Sequence, residues 1–502
     1  MTSPREISQA TARGMAWSMA ATVGGRIISL ASLTVLARLL APQDFGLLAF
    51  ALAFLAYLET VGDLGTGAAL IYWPQRWRDV AQLTFAANLA MGFLWLGITW
   101  VSAPFIADFF GSPDGVGILR ALGWVLPLKA LGTTHDALLQ RELRFRARAI
   151  PELALMGGKA AVAVPLAILG LGAWSLVWGQ LAGQAAYTVL AWALVSWRPR
   201  RGFPGDLVRP VLRYGGGIIS VNVLAAILHH ADIVVVGRML GTVALGFYQM
   251  AYRIPDIAIT LLVRVTSKVL FPAMSRLQGA GTGLRDLYLS ALRYLSLLTI
   301  PGSVGLILLA EPLVVTCFGE RWRPTIPIMQ ALAAYGGLRA LGSYAGDVLK
   351  ATGRPHLLAV LGSLRAVVLV PALILAGTRG PVIVALALVA EAALSTAVYF
   401  VVVARVVGAS AAALAAALRP GVLASIPMAL FLHIWSSVAE PIPAAAALGV
   451  GVLGGMVVYG AALRLAAPSV YRAAARLLRR SDRAATPPAP LSEPVLSEEV
   501  GS

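Results

Sequence analysis

The stretch Val35-Leu-Ala-Arg38-Leu-Leu-Ala-Pro42-Gln-Asp44-Phe-Gly46-Leu-Leu-Ala-Phe50 is answered 200 residues later by Val235-Val-Gly-Arg238-Met-Leu-Gly-Thr242-Val-Ala-Leu-Gly246-Phe-Tyr-Gln-Met250. In each, an Arg closes one apolar run and a Gly opens the next. A second echo pairs Lys159-Ala-Ala-Val-Ala-Val-Pro165 with Arg365-Ala-Val-Val-Leu-Val-Pro371, 206 residues apart at both the cation and the proline. Two echoes at nearly one spacing argue against chance similarity of apolar segments. A membrane chain of two similar halves points to alternating-access transport, with the substrate site between the halves.

The membrane assignment rests on composition. Of 502 residues, 59% are hydrophobic and only 13% charged, against about 25% charged in an average soluble domain. The apolar runs are long enough to cross a hydrocarbon layer as helices. They predict an all-α polytopic membrane protein with fourteen spans, near 16–39, 45–70, 80–107, 116–138, 150–170, 173–196, 213–236, 245–270, 289–310, 325–349, 356–377, 380–404, 411–434 and 442–466. The first run is too long for a cleaved signal peptide and lacks a small-residue cleavage site. The predicted organisation is a six-helix lobe over 1–197, a second over 198–408, two further helices over 409–468, and a cytoplasmic tail over 469–502. An even number of spans per lobe makes the repeat parallel, its pseudo-twofold along the membrane normal. In the tail, Tyr471 to Arg480 reads as a short basic amphipathic helix or as simple topology-setting charge; 484–502 reads as disordered.

The net charge of +17 would suggest nucleic acid in a soluble protein. Here the basic residues gather in alternate connections: Arg76 and Arg78; Arg141, Arg144, Arg146 and Arg148; Arg198, Arg200 and Arg201; Lys350 and Arg354. The positive-inside rule makes that side cytoplasmic and puts both termini there. The connection at 311–324 dissents mildly, with Arg321 and Arg323 beside Glu311 and Glu320.

Several chemistries find no support in the sequence. No Walker motif, nucleophile elbow or metal-ligand spacing appears. The single Cys317 allows no intramolecular disulfide. The chain is therefore read as neither an enzyme nor a cofactor protein.

Charges inside spans are costly and usually face a bundle interior or a wet cavity. Arg26, Lys159, Arg253 and Arg339 are the candidates for substrate contact. Arg grips phosphate oxygens bidentately and Lys adds a point charge, so this set fits an anionic, phosphate-bearing substrate. Lys129, Arg264 and Arg365 read as snorkelling near span ends. The carboxylates Glu59, Asp63, Asp232 and Asp256 are candidates for ion coupling, with internal salt bridges as the alternative. Glu59 and Asp63 share a helix face, and Asp232 follows His229-His230, a possible proton relay. Arg38 and Arg238 read as caps on their own helix C-termini.

The segment Leu212-Arg-Tyr-Gly215-Gly-Gly…Asn222…His230-Ala-Asp232…Gly237-Arg-Met-Leu-Gly241…Leu245-Gly246-Phe-Tyr248-Gln-Met-Ala-Tyr252-Arg253 resembles the polysaccharide transporter family. These are the Wzx-type flippases of the multidrug/oligosaccharidyl-lipid/polysaccharide superfamily. Ala37-Arg38-Leu39-Leu40-Ala-Pro42-Gln-Asp44-Phe45-Gly46, Phe271-Pro272-Ala273-Met-Ser275 and Ala351-Thr-Gly353-Arg354 fit the same family, and Arg141-Glu-Leu143-Arg-Phe145 is most similar to the colanic-acid, amylovoran and teichuronic-acid exporters. The resemblance covers about residues 10–410. It implies two lobes around a cationic cavity and movement of undecaprenyl-pyrophosphate-linked repeat units between leaflets. It also implies glycosyltransferases and a polymerase as pathway partners, and no nucleic acid. Its motifs place no binding residue securely, although Arg26 and Arg253 resemble cavity arginines of lipid II flippases.

Three other functions are weighed. A cation-coupled multidrug antiporter would favour an acidic, aromatic cavity. A membrane polymerase or glycosyltransferase would expose a large outer loop or an acidic metal motif. A scaffold for envelope assembly leaves no particular signature.

Overall fold

A computed structural model describes residues 4–62, 70, 76–200, 205, 228, 230–257, 270, 273–277, 282–439, 441–468 and 472. Apart from isolated positions, the described chain is helical. In order it forms α1 (Pro4–Leu39), α2 (Pro42–Gly62), α3 (Trp77–Phe109), α4 (Gly115–Gly123), α5 (Val125–Arg141), α6 (Phe145–Ile168) and α7 (Ala173–Leu194). Then come α8 (His230–Ile257), α9 (Thr282–Leu308), α10 (Ala310–Cys317), α11 (Thr325–Ala351), α12 (Pro355–Gly377), α13 (Pro381–Val407), α14 (Ala411–Val438) and α15 (Ala444–Ala466).

Local chemistry sets the helix ends. Asp44, in the first turn of α2, accepts the backbone N–H of Ala41 at 2.8 Å, so the chain leaves α1 and re-enters helix at Pro42. Pro355 and Pro381 open α12 and α13, where a missing N–H costs nothing. Gly408, at φ 69°, ends α13, and the Ser410 hydroxyl caps α14 by accepting from Ala413. The fold class agrees with the sequence: an all-helical, multi-pass membrane protein. Lipid-facing stretches carry exposed apolar side chains, such as Val367 and Leu375 on α12 and Leu453 and Val457 on α15.

Among the described residues, eleven helices are long and apolar enough to cross a membrane, against fourteen expected. Two expected spans, α7 and α11, are long but fall outside that set. Their inward faces are polar or small: Gly179, Gln180, Gly183, Gln184 and Thr188 on α7; Tyr335, Gly336, Arg339, Ser343 and Asp347 on α11. Most of the expected seventh span, 213–236, lies outside the described residues. The break expected between the seventh and eighth spans appears as a turn within α8, where Gly241 adopts φ 81°. That left-handed conformation suits glycine.

The repeated motif makes a mutual contact. A Cβ on Gly46 would overlap the carbonyl of Thr242, and a Cβ on Gly246 would overlap the carbonyl of Pro42. Position 242 is 200 residues from 42, and 246 is 200 from 46, so each motif supplies the glycine that receives the other's carbonyl. Arg38 lies in the last turn of α1, where a cation complements the helix dipole, and both arginines also reach other elements. Arg38 Nη2 donates to the Thr316 carbonyl at 2.7 Å, in the last turn of α10, while the Arg238 guanidinium lies 5.2 Å from the Phe109 ring centroid at the end of α3.

Two intramembrane cations expected to snorkel are instead paired inside the bundle. Arg365 makes a bidentate contact with Glu391 at 2.8 and 2.9 Å, and Glu391 is 5% exposed. Lys129 Nζ lies 2.7 Å from Glu59. Arg264 is outside the described residues. Breaking the buried pair by Arg365→Met leaves an unpaired carboxylate, which costs about 3–5 kcal/mol. We expect that variant to unfold in detergent well below the parent, and Arg365→Met/Glu391→Leu to recover most of the loss. Equal melting of the single variant and the parent would argue against a stabilising pair.

Candidate functional site

The site begins at a closed end. Trp322 is fully buried between the two repeated motifs: its ring centroid lies 5.4 Å from that of Phe45 and 5.7 Å from that of Phe247, both edge-on. Its indole N–H donates to the Ala37 carbonyl at 2.8 Å. Arg321 donates to the Leu40 carbonyl at 3.3 Å. These contacts explain the charges that dissented from the topology. Arg321 clamps the end of α1, and Arg323 pairs with Glu320 and Glu311, whose hydrogen bonds, the Glu320 bond first, raise its pKa above the ordinary arginine value. Leu36, Leu40, Leu48, Phe110, Leu245 and Phe318 join one hydrophobic cluster around this plug.

A cavity of about 410 Å³ ends on the plug at Leu36, Phe45 and Leu48. Arg26 on α1, Lys159 on α6 and Arg253 on α8 all line it. Three of the four predicted substrate cations therefore converge, from helices on both sides of the repeat. Arg253 is exposed despite its position within the bundle, which places its guanidinium in the cavity space. Ser29, Ser32 and Gln180 add hydroxyl and amide groups, and Glu152 is the cavity's carboxylate.

The position of Lys159 follows from its neighbours. Gly179-Gln-Leu-Ala-Gly183 on α7 is a small-xxx-small pattern that lets helix backbones approach closely. A Cβ on Gly179 would lie 2.7 Å from Ala163 Cβ, and one on Gly183 would overlap the Lys159 stem. The lysine chain thus runs over bare backbone.

Arg339 does not join the other three. It lines a second cavity of about 370 Å³ with Tyr252, Asp256, Tyr335, Ser343, Arg365 and Tyr399. Arg339 Nη1 donates to the Tyr252 hydroxyl at 3.3 Å, and its guanidinium lies 5.8 Å from the Tyr335 ring centroid. The two cavities share α8 as a wall. Arg253 and Ile257 face the first; Tyr252, Pro255 and Asp256 face the second.

The three described candidate coupling carboxylates, Glu59, Asp232 and Asp256, have separate surroundings. Glu59 pairs with Lys129. Asp232 is buried and accepts from the Tyr248 hydroxyl at 2.8 Å, rather than from an arginine. Asp256 lines the second cavity, and Asp63 lies outside the described residues, as does His229. His230 packs edge-on against Tyr57 at 5.6 Å. Reading charges alone missed Tyr252, Tyr335 and Tyr399. Tyr335 and Arg339, one turn apart on α11, were a helix-face signal that could have drawn attention to them.

Comparison with known proteins bears on this arrangement. The family model described as "Polysaccharide biosynthesis protein" matches residues 35–327. The lipopolysaccharide biosynthesis protein WzxC of Escherichia coli (strain K12) is 27% identical over 413 residues, covering 80% of this chain and 83% of that protein. The succinoglycan biosynthesis transport protein ExoT of Rhizobium meliloti (strain 1021) is 27% identical over 365 residues, covering 72% and 74%. Among solved structures, the lipid II flippase MurJ in an inward closed conformation superposes with a TM-score of 0.72 at 14% identity, over 89% of this chain and 98% of that one. That likeness concerns the fold. With more than half its length matched and the repeated motifs inside the matched region, the chain belongs to the polysaccharide biosynthesis protein family.

Proposed function

We propose that the chain is a flippase that carries a polyprenyl-pyrophosphate-linked oligosaccharide from the cytoplasmic to the outer leaflet by alternating access. The observation that carries this reading is the convergence of Arg26, Lys159 and Arg253 on one cavity that ends at a closed plug. A bare pyrophosphate cannot enter hydrocarbon, because burying an unpaired charge costs several kcal/mol even after relaxation. Fixed cations in a wet cavity replace its water and counter-ions. The lipid tail stays in the bilayer, and the head group rides between two six-helix lobes that rock about the plug. Translocation makes and breaks no covalent bond. Glycosyltransferases supply the oligosaccharide on the inner face and a polymerase consumes it on the outer face.

The relatives named for biosynthesis and transport support this class over a drug antiporter, and the excess of cations over carboxylates in the first cavity agrees. The direct test is reconstitution into liposomes with lipid-linked oligosaccharide extracted from the producing cells. Protein-dependent access of an added glycosidase or lectin to the sugar supports the reading. Access no faster than in protein-free vesicles overturns it.

The proposed orientation places both termini and the Arg-rich connections in the cytoplasm, and the plug outside. Reporter fusions after Arg148 and Arg201 should read cytoplasmic, and one near Ser112 external. A cytoplasmic reading at Ser112 would reverse the scheme.

A further inference from the structure

The second cavity differs in kind from the first. The first gathers Arg26, Lys159 and Arg253 against Glu152, an excess of positive charge suited to a diphosphate. In the second, Arg339 and Arg365 meet Asp256 on the lining and Glu391 behind it, so charge is nearly balanced. Tyr252 and Tyr399 contribute ring faces and hydroxyls, while Tyr335 behind them is only 5% exposed and lies under the Arg339 guanidinium. Along α11, Tyr335, Arg339, Ser343 and Gly346 recur every three or four residues on one face. Gly346 has open space where a side chain would project, which widens the cavity at that end. The volume of about 370 Å³ falls within the roughly 300–1,000 Å³ of small-molecule sites.

This lining selects among ligand classes. A lipid tail would displace water from the guanidinium, carboxyl and hydroxyl groups of the lining and give no hydrogen bond in return, which is costly when buried. A phosphate would meet Asp256 and an arginine already satisfied by Glu391. An organic cation would meet Arg339. A pyranose ring offers what the cavity can use: an apolar C–H face for the phenol rings, and a rim of hydroxyls that both donate and accept. We infer that the second cavity is a saccharide subsite, in which Tyr252 and Tyr399 hold sugar rings while Arg339, Ser343 and Asp256 bind their hydroxyls. Because α8 turns Tyr252 to this cavity and Arg253 to the other, a repeat unit whose outer sugars extend past the roughly 10–12 Å width of the helix reaches from one to the other.

The inference rests on the flippase reading and deepens it, and the two can fail separately. Binding to the purified protein is measured for undecaprenyl diphosphate and for undecaprenyl-diphosphate oligosaccharide extracted from the producing cells. The parent should bind the bare diphosphate, and bind the sugar-bearing lipid at least tenfold more tightly. Tyr252→Ala/Tyr399→Ala should remove that gain and leave bare-diphosphate affinity within about twofold. The double Phe variant, which keeps the rings, should retain most of it. If the parent fails to bind the bare diphosphate, the flippase reading falls. If it binds both lipids equally, the saccharide subsite is wrong, and no variant is needed to decide. A gain that survives in a folded double Ala variant overturns the tyrosine assignment.

Discussion

Arg26→Ala/Lys159→Ala/Arg253→Ala should abolish oligosaccharide flipping while leaving a folded, inserted protein. Each charge-assisted contact contributes about 1.5–3 kcal/mol, or roughly tenfold to a hundredfold in affinity. Single alanine variants should fall within that range, and the triple variant should lie near the protein-free rate. Stability should move the other way. Three cations that share one cavity repel one another, so removing them relieves strain in the empty protein. The triple variant should melt at or above the parent's temperature. A scaffold role would predict the reverse, with lower melting and unchanged flipping. Parental flipping by the triple variant at normal abundance would remove the basis for a diphosphate site.

Gly46→Ala should open the plugged end. The added Cβ has nowhere to go, because the Thr242 backbone carbonyl occupies its place and cannot rotate away like a side chain. Overpacking of this kind costs about 1–3 kcal/mol. Where that cost falls on the closed arrangement alone, the open population rises about fivefold to 150-fold. Leu40 is 3% exposed beside the plug. In a Cys317→Ser background, Leu40→Cys should react slowly with an impermeant maleimide. Adding Gly46→Ala should accelerate labelling at least about fivefold, and Gly246→Ala should do the same through Pro42. Unchanged labelling in both would show that this contact does not hold the end shut.

The fold class was legible because hydropathy over about twenty residues is a strong local signal. The motif repeat was legible because both copies do one job, each glycine admitting the other copy's carbonyl. The longer-range contacts of Arg38 and Arg238 were not. A helix-terminal arginine has a good local explanation, and only three-dimensional packing reveals that its partner lies 278 residues away at Thr316. Arg365 and Glu391 were likewise read separately, since 26 residues of apolar chain separate two groups that pair across α12 and α13. For the candidate site, the intramembrane position singled out Arg26, Lys159 and Arg253, which line one cavity. Residue type could not assign Arg339 to a different cavity, because that depends on which side of α8 each face lies. Tyrosine gave little signal in the sequence, being apolar enough to pass as ordinary membrane helix.

Tyr252 and Arg253 are consecutive on α8, so their side chains leave the helix about 100° apart, one into each cavity. A wall shared in this way makes the two chambers thermodynamically linked. Whatever factor an occupant of one imposes on the affinity of the other, by tilting or turning α8, the second occupant returns unchanged to the first. A head group that fills both chambers meets a helix held from two sides, whereas one that fills a single chamber leaves α8 free to turn. The wall thereby weighs the whole molecule rather than its parts.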